Sequence, residues 1–354
     1  MTYDAILVVS FGGPESPADV IPFLENVLRG RNVPRERMLA VAEHYYHFGG
    51  KSPINQQTRE LIAALEQELA LHDPKQHGPK LPVYWGNRNW HPMLAETLQQ
   101  MKRDGIRRAL AFVTSAYSSY SGCRQYREDI ARAQSEVGPG APEIDKLRAF
   151  FNHPGFIEAT EERLRNALHA VPAEARQNVQ IVYSAHSIPL SMANTCDYVS
   201  QLEEVRKLVS ARLGVANDAL VYQSRSGAPG QPWLEPDILD YLREVKARNL
   251  ASAVVLAPIS FISDHMEVLY DLDIEARQLC DSLALPMVRA KAVGVHPKFV
   301  AMIRELIQER MMSSGVERRV LGSLGPRHDV CEENCCPAPQ RPGRPLASPE
   351  RPGS

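Results

Sequence analysis

The chain has 354 residues, more than one hydrophobic core usually encloses, so two domains are expected. It is 44% hydrophobic and 23% charged, the composition of a soluble globular protein rather than a disordered or membrane-embedded one. A formal net charge of −2 gives no basic bias, so no nucleic-acid partner is expected.

The chain opens "MTYDAILVVSFGG", with no cationic segment and too short an apolar stretch for a secretory signal. The longest apolar run, "SAVVLAPISFI", is too short to span a bilayer, so stable membrane insertion is not expected. The protein therefore reads as cytoplasmic. Cysteines there stay mostly reduced, and a cluster of them points to metal or redox chemistry rather than to disulfides.

Strand-like runs follow in order: Ala5–Ser10, "PVYWG" around Val83, Arg108–Ser115, Val179–Ala185, Ala219–Ser224, Ser252–Ile259 and Met287–Val293. Most are continuously apolar rather than alternating, as strands buried on both faces are. Helical patterns separate them, among them Gln57–Ala70 and Glu235–Arg248. Alternating strands and helices predict an α/β fold with doubly wound parallel sheets flanked by helices. No strong internal repeat is visible. A long helical stretch, "GFIEATEERLRNALHAV", separates the first three strands from the rest and predicts two lobes. The first lobe is expected over 1–178 plus 290–336, with the helix "HPKFVAMIRELIQERMM" folding back onto it, and the second over 179–289. Residues 337–354 are dense in Pro, Arg, Gly and Ser and are expected to be disordered.

Ligands of open parallel sheets bind beyond the carboxyl ends of the strands. At those ends stand "FGGP", "AYSSYSGCRQY", "HSIPL", "RSGAPGQPW" and "SFISDHMEVLYDLDIEA". Glu267, Asp271 and Glu275 recur every four residues and would form one carboxylate stripe on a helix. The stripe is either a solvated face or a route for a hard divalent cation, and Asp264 and His265 beside it favour the route. His186, where a strand meets its loop, is either a satisfied core histidine or a proton acceptor. Cys196 and Cys280 fall in helical patterns and read as core filler. Cys331, Cys335 and Cys336 lie within six residues, one thiol short of a four-ligand site and without paired CxxC spacing.

The motifs "SFGGPE", "FGGKSPIN", "SAHSIP", "QSRSG…PWLEP" and "PISFISDHMEVLYDLDIEA", in this order from Tyr3 to Arg310, resemble the ferrochelatase family. The resemblance implies two Rossmann-like lobes with a porphyrin cleft between them and insertion of Fe2+ as substrate metal. It implies His186 as acceptor of pyrrole protons, Glu267 as its partner, and Asp271 and Glu275 as the metal route. It places Phe11, Arg29, Arg31, Ser52, Arg88 and Trp233 at the porphyrin. Because Phe11 stands where some relatives carry tyrosine, Tyr117 or Tyr120 would supply a phenol. The polar, basic stretch "RGRNVPRERMLAVAEHYYHFGG" resembles soluble actinobacterial members and implies coproporphyrin III as porphyrin, since additional arginines suit additional carboxylates. It further implies a monomer and a downstream enzyme that accepts the coproheme. Some members hold a 2Fe–2S cluster by one internal and three C-terminal cysteines, and Cys123, Cys331, Cys335 and Cys336 resemble that set. The alternatives are a protoporphyrin IX or other-metal chelatase, a tetrapyrrole or metal carrier without turnover, an electron-transfer protein, and a tail holding zinc or no metal.

Overall fold

Each central strand of this protein faces hydrophobic neighbours on both sides, and that fixes how its layers stack. In β1 (Ala5–Ser10) every residue is buried. Ile6 and Val8 enter one core cluster, whereas Ala5, Leu7 and Val9 enter another, as the two-residue period of a strand requires. The computed structural model describes residues 2–30, 33–72, 81–226, 230–312 and 317–338. The expected tail therefore lies outside the described residues from 339 onward, and so does Arg31.

Among the described residues two four-stranded sheets are present, and all their pairings are parallel. The first contains β1, β2 (Val83–Asn87), β3 (Arg108–Val113) and β4 (Glu143–Lys146), in the order β2-β1-β3-β4. The second contains β5 (Val179–His186), β6 (Asp218–Gln223), β7 (Ala253–Pro258) and β8 (Met287–Arg289), in the order β6-β5-β7-β8. The two orders are the same, so the fold repeats although the sequence shows no repeat. Strands of three to eight residues are too short to print one. In each sheet the winding reverses beside the first strand, between β1 and β3 and between β5 and β7, and such a reversal opens a crevice at the strands' carboxyl ends.

Two expectations need correction. β4, "EIDK", was not anticipated: it is a four-residue edge strand with exposed or half-buried side chains, and its charges conceal it. The strand expected over Met287–Val293 ends at Arg289, whose side chain turns to ion pairs with Asp264 and Asp273.

One continuous core joins the sheets. Helices Pro154–His169 and Pro297–Met311 pack together and contribute Phe156 and Phe299, which meet each other; Phe299 also meets Phe112 of β3, and the same cluster includes Ile181 and Tyr183 of β5. Both helices start His-Pro, with proline at the first position and the histidine Nδ1 accepting a backbone N–H two residues on, from Gly155 (3.1 Å) and Lys298 (3.3 Å). Their approach requires Gly155, because a Cβ there would lie 2.6 Å from Lys298 O. Side-chain bonds also cross between the sheets. Gln201 Nε2 donates to Ser118 Oγ (3.0 Å), its Oε1 accepts from Ser118 N (2.8 Å), and Tyr117 Oη donates to Ile259 O (2.9 Å).

The segment 317–338 has no regular structure but is well tied. Leu321 N donates to Asn152 O (2.9 Å) beneath the first sheet, while Arg327 pairs with Asp197 (2.8 Å) and Leu324 N donates to Glu204 (3.2 Å) beside the second. Among the described residues no helix is long and apolar enough to cross a membrane.

Phe299 is fully buried where the two sheets share their core. Phe299→Ala should cost about 3–5 kcal/mol and leave a single unfolding transition at lower denaturant. Two separated transitions in a chemical melt followed by fluorescence and circular dichroism would contradict the shared core.

Candidate functional site

His186 is the last residue of β5, at the crevice edge. Its backbone N–H donates to Ser260 Oγ (3.0 Å) just beyond β7, and its carbonyl accepts from Tyr198 Oη (3.0 Å), so the winding reversal is bridged at this residue. Nδ1 lies 2.5 Å from Ser187 O. A carbonyl can only accept, so Nδ1 carries the hydrogen and Nε2 holds the free lone pair. Nε2 stands 3.6 Å from Glu267 Oε2, with the two side chains 32% and 49% exposed: a base beside a carboxylate, both open to a ligand.

The neighbouring loop is built by antiparallel contact of two short segments. Leu234 N donates to Ile188 O (3.0 Å), Leu190 N to Pro232 O (3.0 Å) and Ser187 Oγ to Leu234 O (2.9 Å). Between them Trp233 is buried, and its indole N–H has no partner among the described residues. A buried indole N–H without an acceptor is uncommon.

Glu267 follows His265, whose Nδ1 caps the helix by accepting from Glu267 N (3.2 Å). Burial and the neighbouring His186 lower the pKa of His265 against the pull of Glu267. The helix runs Met266–Val268, then as a π-helix over Leu269–Ala276, then Arg277–Ser282. The carboxylate row thus stands largely on wider i→i+5 turns and not on the α-helix expected; such segments recur at functional sites. Asp271 Oδ2 accepts from Gln223 Nε2 (3.2 Å) and from Ser224 Oγ. Ser224 holds that hydroxyl in place from a left-handed backbone, φ +61°, a strained conformation for serine. Burial, then the charges of Glu267 and Glu275, push the Asp271 carboxyl up to about 7, against the Ser224 bond. Burial and Asp237 raise Glu275 as well. Neutral water therefore leaves this row short of charge compensation, as a cation path would be.

The first lobe covers the row with helix Arg35–His47. His44 stacks on Tyr270, centroids 3.6 Å apart and 9° from parallel, and burial and Glu267 raise the Tyr45 hydroxyl. Neither histidine nor tyrosine was anticipated, since the helix carries no clear apolar period.

Other anticipated residues divide. Phe11 is exposed at the end of β1, edge-on to Phe23, and Arg29 is exposed beyond helix Val20–Val27. Ser52 is buried, its N–H donating to Pro14 O (2.9 Å). Arg88 turns inward: it is buried, ion-paired with Asp129 and 4.3 Å over the Tyr126 ring. Tyr117 is likewise buried, its hydroxyl engaged by Ile259 O and its ring among Phe151, Phe156 and Tyr198. Tyr120 is half-buried and donates to Glu128 (3.0 Å).

A second site lies at the end of β3. Cys123, on the π-helical turn Tyr120–Arg124, hydrogen-bonds Cys331, and Cys335 Sγ lies 3.6 Å from Cys336 Sγ. The adjacent pair can face one way because Cys336 is left-handed, φ +51°. The thiol of Cys123 is drawn down to about 5, first by Cys331 and further by Lys146 and Arg127, against burial; that of Cys331 goes up. Arg127 donates to Cys331 O (3.2 Å) and Arg124 to Cys335 O (3.4 Å), pinning the segment. His328 was missed: one of its ring nitrogens lies within 4.8 Å of the Cys331 and Cys335 sulfurs. No cysteine is in a disulfide. Cys280 is buried core, its thiol pushed up to about 11, whereas Cys196 is half-buried and within electrostatic reach of Cys335.

Over residues 3–311 the sequence matches the family described as Ferrochelatase. It is 55% identical to a ferrochelatase of Rhodopirellula baltica, over 97% of each chain. It is 50% identical to a coproporphyrin III ferrochelatase of Streptomyces coelicolor, over 98% of this chain and 96% of that one. The fold is similar to SirB of Bacillus subtilis, solved with Fe3+, at TM-score 0.55 over 88% of this chain and 98% of SirB, with 12% identity. A second SirB structure, a sirohydrochlorin chelatase in complex with cobalt, matches at TM-score 0.51 and 12% identity, covering 87% of this chain and 95% of that one.

The raised Asp271 carboxyl gives a signed expectation. The folded chain holds this proton to higher pH than the unfolded chain, so the group costs stability progressively as pH rises from about 4 to about 7. Asp271→Asn should therefore raise the melting temperature of the metal-free protein near pH 8, with the difference fading toward pH 4. Thermal melts across that range check it, and a variant less stable at the alkaline end would oppose the assignment.

Proposed function

The chain belongs to the ferrochelatase family, enzymes of metal insertion, and we propose that it inserts Fe2+ into coproporphyrin III with His186 as the pyrrole proton acceptor. The observation that carries this reading is the pair His186–Glu267, with the free Nε2 lone pair 3.6 Å from the carboxylate. A free-base porphyrin holds two central N–H protons, and metal enters only as they leave and the ring bends to expose nitrogen lone pairs. His186 Nε2 takes up the two protons one after the other as general base, returning the first to solvent past the exposed Glu267 before accepting the second. Its imidazolium is then stabilised by Glu267, and Ser187 O keeps the ring oriented. Asp271 and Glu275 lead Fe2+ toward Glu267, the cation replacing the proton that burial favours on Asp271. Contacts along the porphyrin rim offset the cost of bending the macrocycle.

For the porphyrin, the relatives named coproporphyrin III ferrochelatase support the four-propionate substrate, as does the basic segment around Arg29, Arg35 and Arg37, exposed where described. Phe11 and Trp233 are assigned to the macrocycle, the unpartnered Trp233 N–H being a donor in waiting. Ser52 lies beside Gly13 at the same strand end. Arg88 and Tyr117 support the site from behind through Asp129 and Ile259 rather than by reaching the ligand. The lobes are assigned as 1–178 plus 290–336 and 179–289, and a reducing cytoplasm suits the free thiols.

Cys123, Cys331, Cys335 and Cys336 suit a 2Fe–2S cluster: free thiols neighbour one another in turn from Cys123 to Cys331 to Cys335 to Cys336, one is drawn toward thiolate, and Lys146 and Arg127 offset negative charge. When bound, such a cluster supplies a one-electron centre and a covalent tie between the loop after β3 and the C-terminal segment. The chain's own residues hold that segment through Arg124 and Arg127.

Anaerobic Fe2+ insertion into coproporphyrin III should outpace insertion into protoporphyrin IX, and His186→Ala should lose nearly all turnover while still quenching porphyrin fluorescence on binding. Faster use of protoporphyrin would sink the substrate, and near-normal turnover of the variant would sink the base. For the cysteine site, anaerobically purified protein should carry iron and a visible absorbance that Cys123→Ser removes. Colourless wild-type protein with zinc or no metal would refute the cluster.

A further inference from the structure

The catalytic carboxylate is carried by the second lobe, yet the peptide that starts its helix is held by the first. Gln57 stands in the first turns of helix Ile54–Leu71, a position that reads as ordinary helix surface. Its Nε2 donates to Asp264 O (2.9 Å) and its Oε1 accepts from Asp264 N (2.9 Å), across 207 residues of sequence. One side-chain amide thus gives a main-chain peptide both bonds that a neighbouring strand would give. The Asp264 carboxylate is fixed separately, by Arg289 (2.7 Å) and Ala292 N (3.0 Å), so this residue is restrained on both sides. Directly after it come His265, which caps the next helix, and Glu267, opposite His186. Gln57 also lines a small cavity between the lobes with Ser10, Thr58, Thr114 and Ser263.

We propose that Gln57 is a positioning residue for metal insertion: its reciprocal bonds to the Asp264 peptide fix the start of the helix that holds Glu267 against His186. The inference rests on the roles proposed above for that pair. No other side chain needs to move for the contact to fail, because loss of the amide leaves both an N–H and a C=O of Asp264 without their partner. A displacement of about 1 Å at a reacting group can cost on the order of 100-fold in rate, whereas the porphyrin contacts proposed above do not include Asp264.

The test uses full-length protein with Gln57→Leu and Gln57→Glu. The first removes both bonds at similar volume; the second keeps the acceptor for Asp264 N–H. Gln57→Leu should lower kcat for Fe2+ insertion about 10- to 100-fold with KM for porphyrin changed less than about 2-fold. Gln57→Glu should fall between it and wild type. Amide hydrogen exchange across 264–268 should quicken in the leucine variant while exchange in β5 stays unchanged. Wild-type kcat in both variants, a loss confined to KM, or unaltered exchange at 264–268 would overturn the proposal. If the leucine variant does not fold, the same comparisons on Gln57→Glu decide it. His186→Ala in the same assay separates the two levels. Retained turnover there would remove the base, while the exchange measurement still judges the clasp.

Discussion

Two parallel sheets leaning on one pair of helices is the constraint from which the rest follows. Because Pro154–His169 and Pro297–Met311 contribute to a single core with both sheets, neither sheet can turn far without opening that core. Parallel pairing brings the carboxyl ends of all strands in a sheet to one edge. His186, Ser260 and the helix with Glu267 therefore meet without any long excursion of the chain. Burial of Phe112, Phe156 and Phe299 thus sets where the edges, and with them His186 and Glu267, stand.

The site is kept at some cost to the fold. A half-buried carboxylate row repels itself, Asp271 holds its proton to near neutrality, and Ser224 is bent into a left-handed backbone to bond it. Each of these would be relieved by a blander residue. They persist together on one short stretch of surface, as costly features at functional sites do, and a divalent cation bound there would offset the electrostatic part of the penalty. The first lobe reaches this stretch through the His44–Tyr270 stack, so both lobes border a row whose carboxylates come from one.

Much of this was legible beforehand because the relevant signals are strong and local. The central strands announce themselves as unbroken apolar runs, and β1 shows why: successive residues serve two different cores. His186 and the row Glu267, Asp271 and Glu275 stood out by position and spacing. β4 was illegible because an edge strand needs no apolar face, and "LYDLDIEA" carries nothing that separates π-helical from α-helical turns. Gln57 and Gln201 were illegible for a different reason. A glutamine on a helix looks solvated until the fold brings a peptide or a serine to it. Arg88 and Tyr117 show that a polar residue near a strand end can also face inward, where Asp129 or a carbonyl meets it.

The two adjacent sulfurs near the end of the chain depend on one backbone angle. With φ at +51°, Cys336 sits where glycine would rest without strain and where other L-residues lose of the order of 1 kcal/mol. Conformational ease and sulfur supply are thus opposed at a single codon. Mutation toward glycine would relieve the backbone and remove one of the two adjacent sulfurs. The same exchange at Cys123, whose backbone is right-handed and helical, would relieve nothing and would weaken its helical turn.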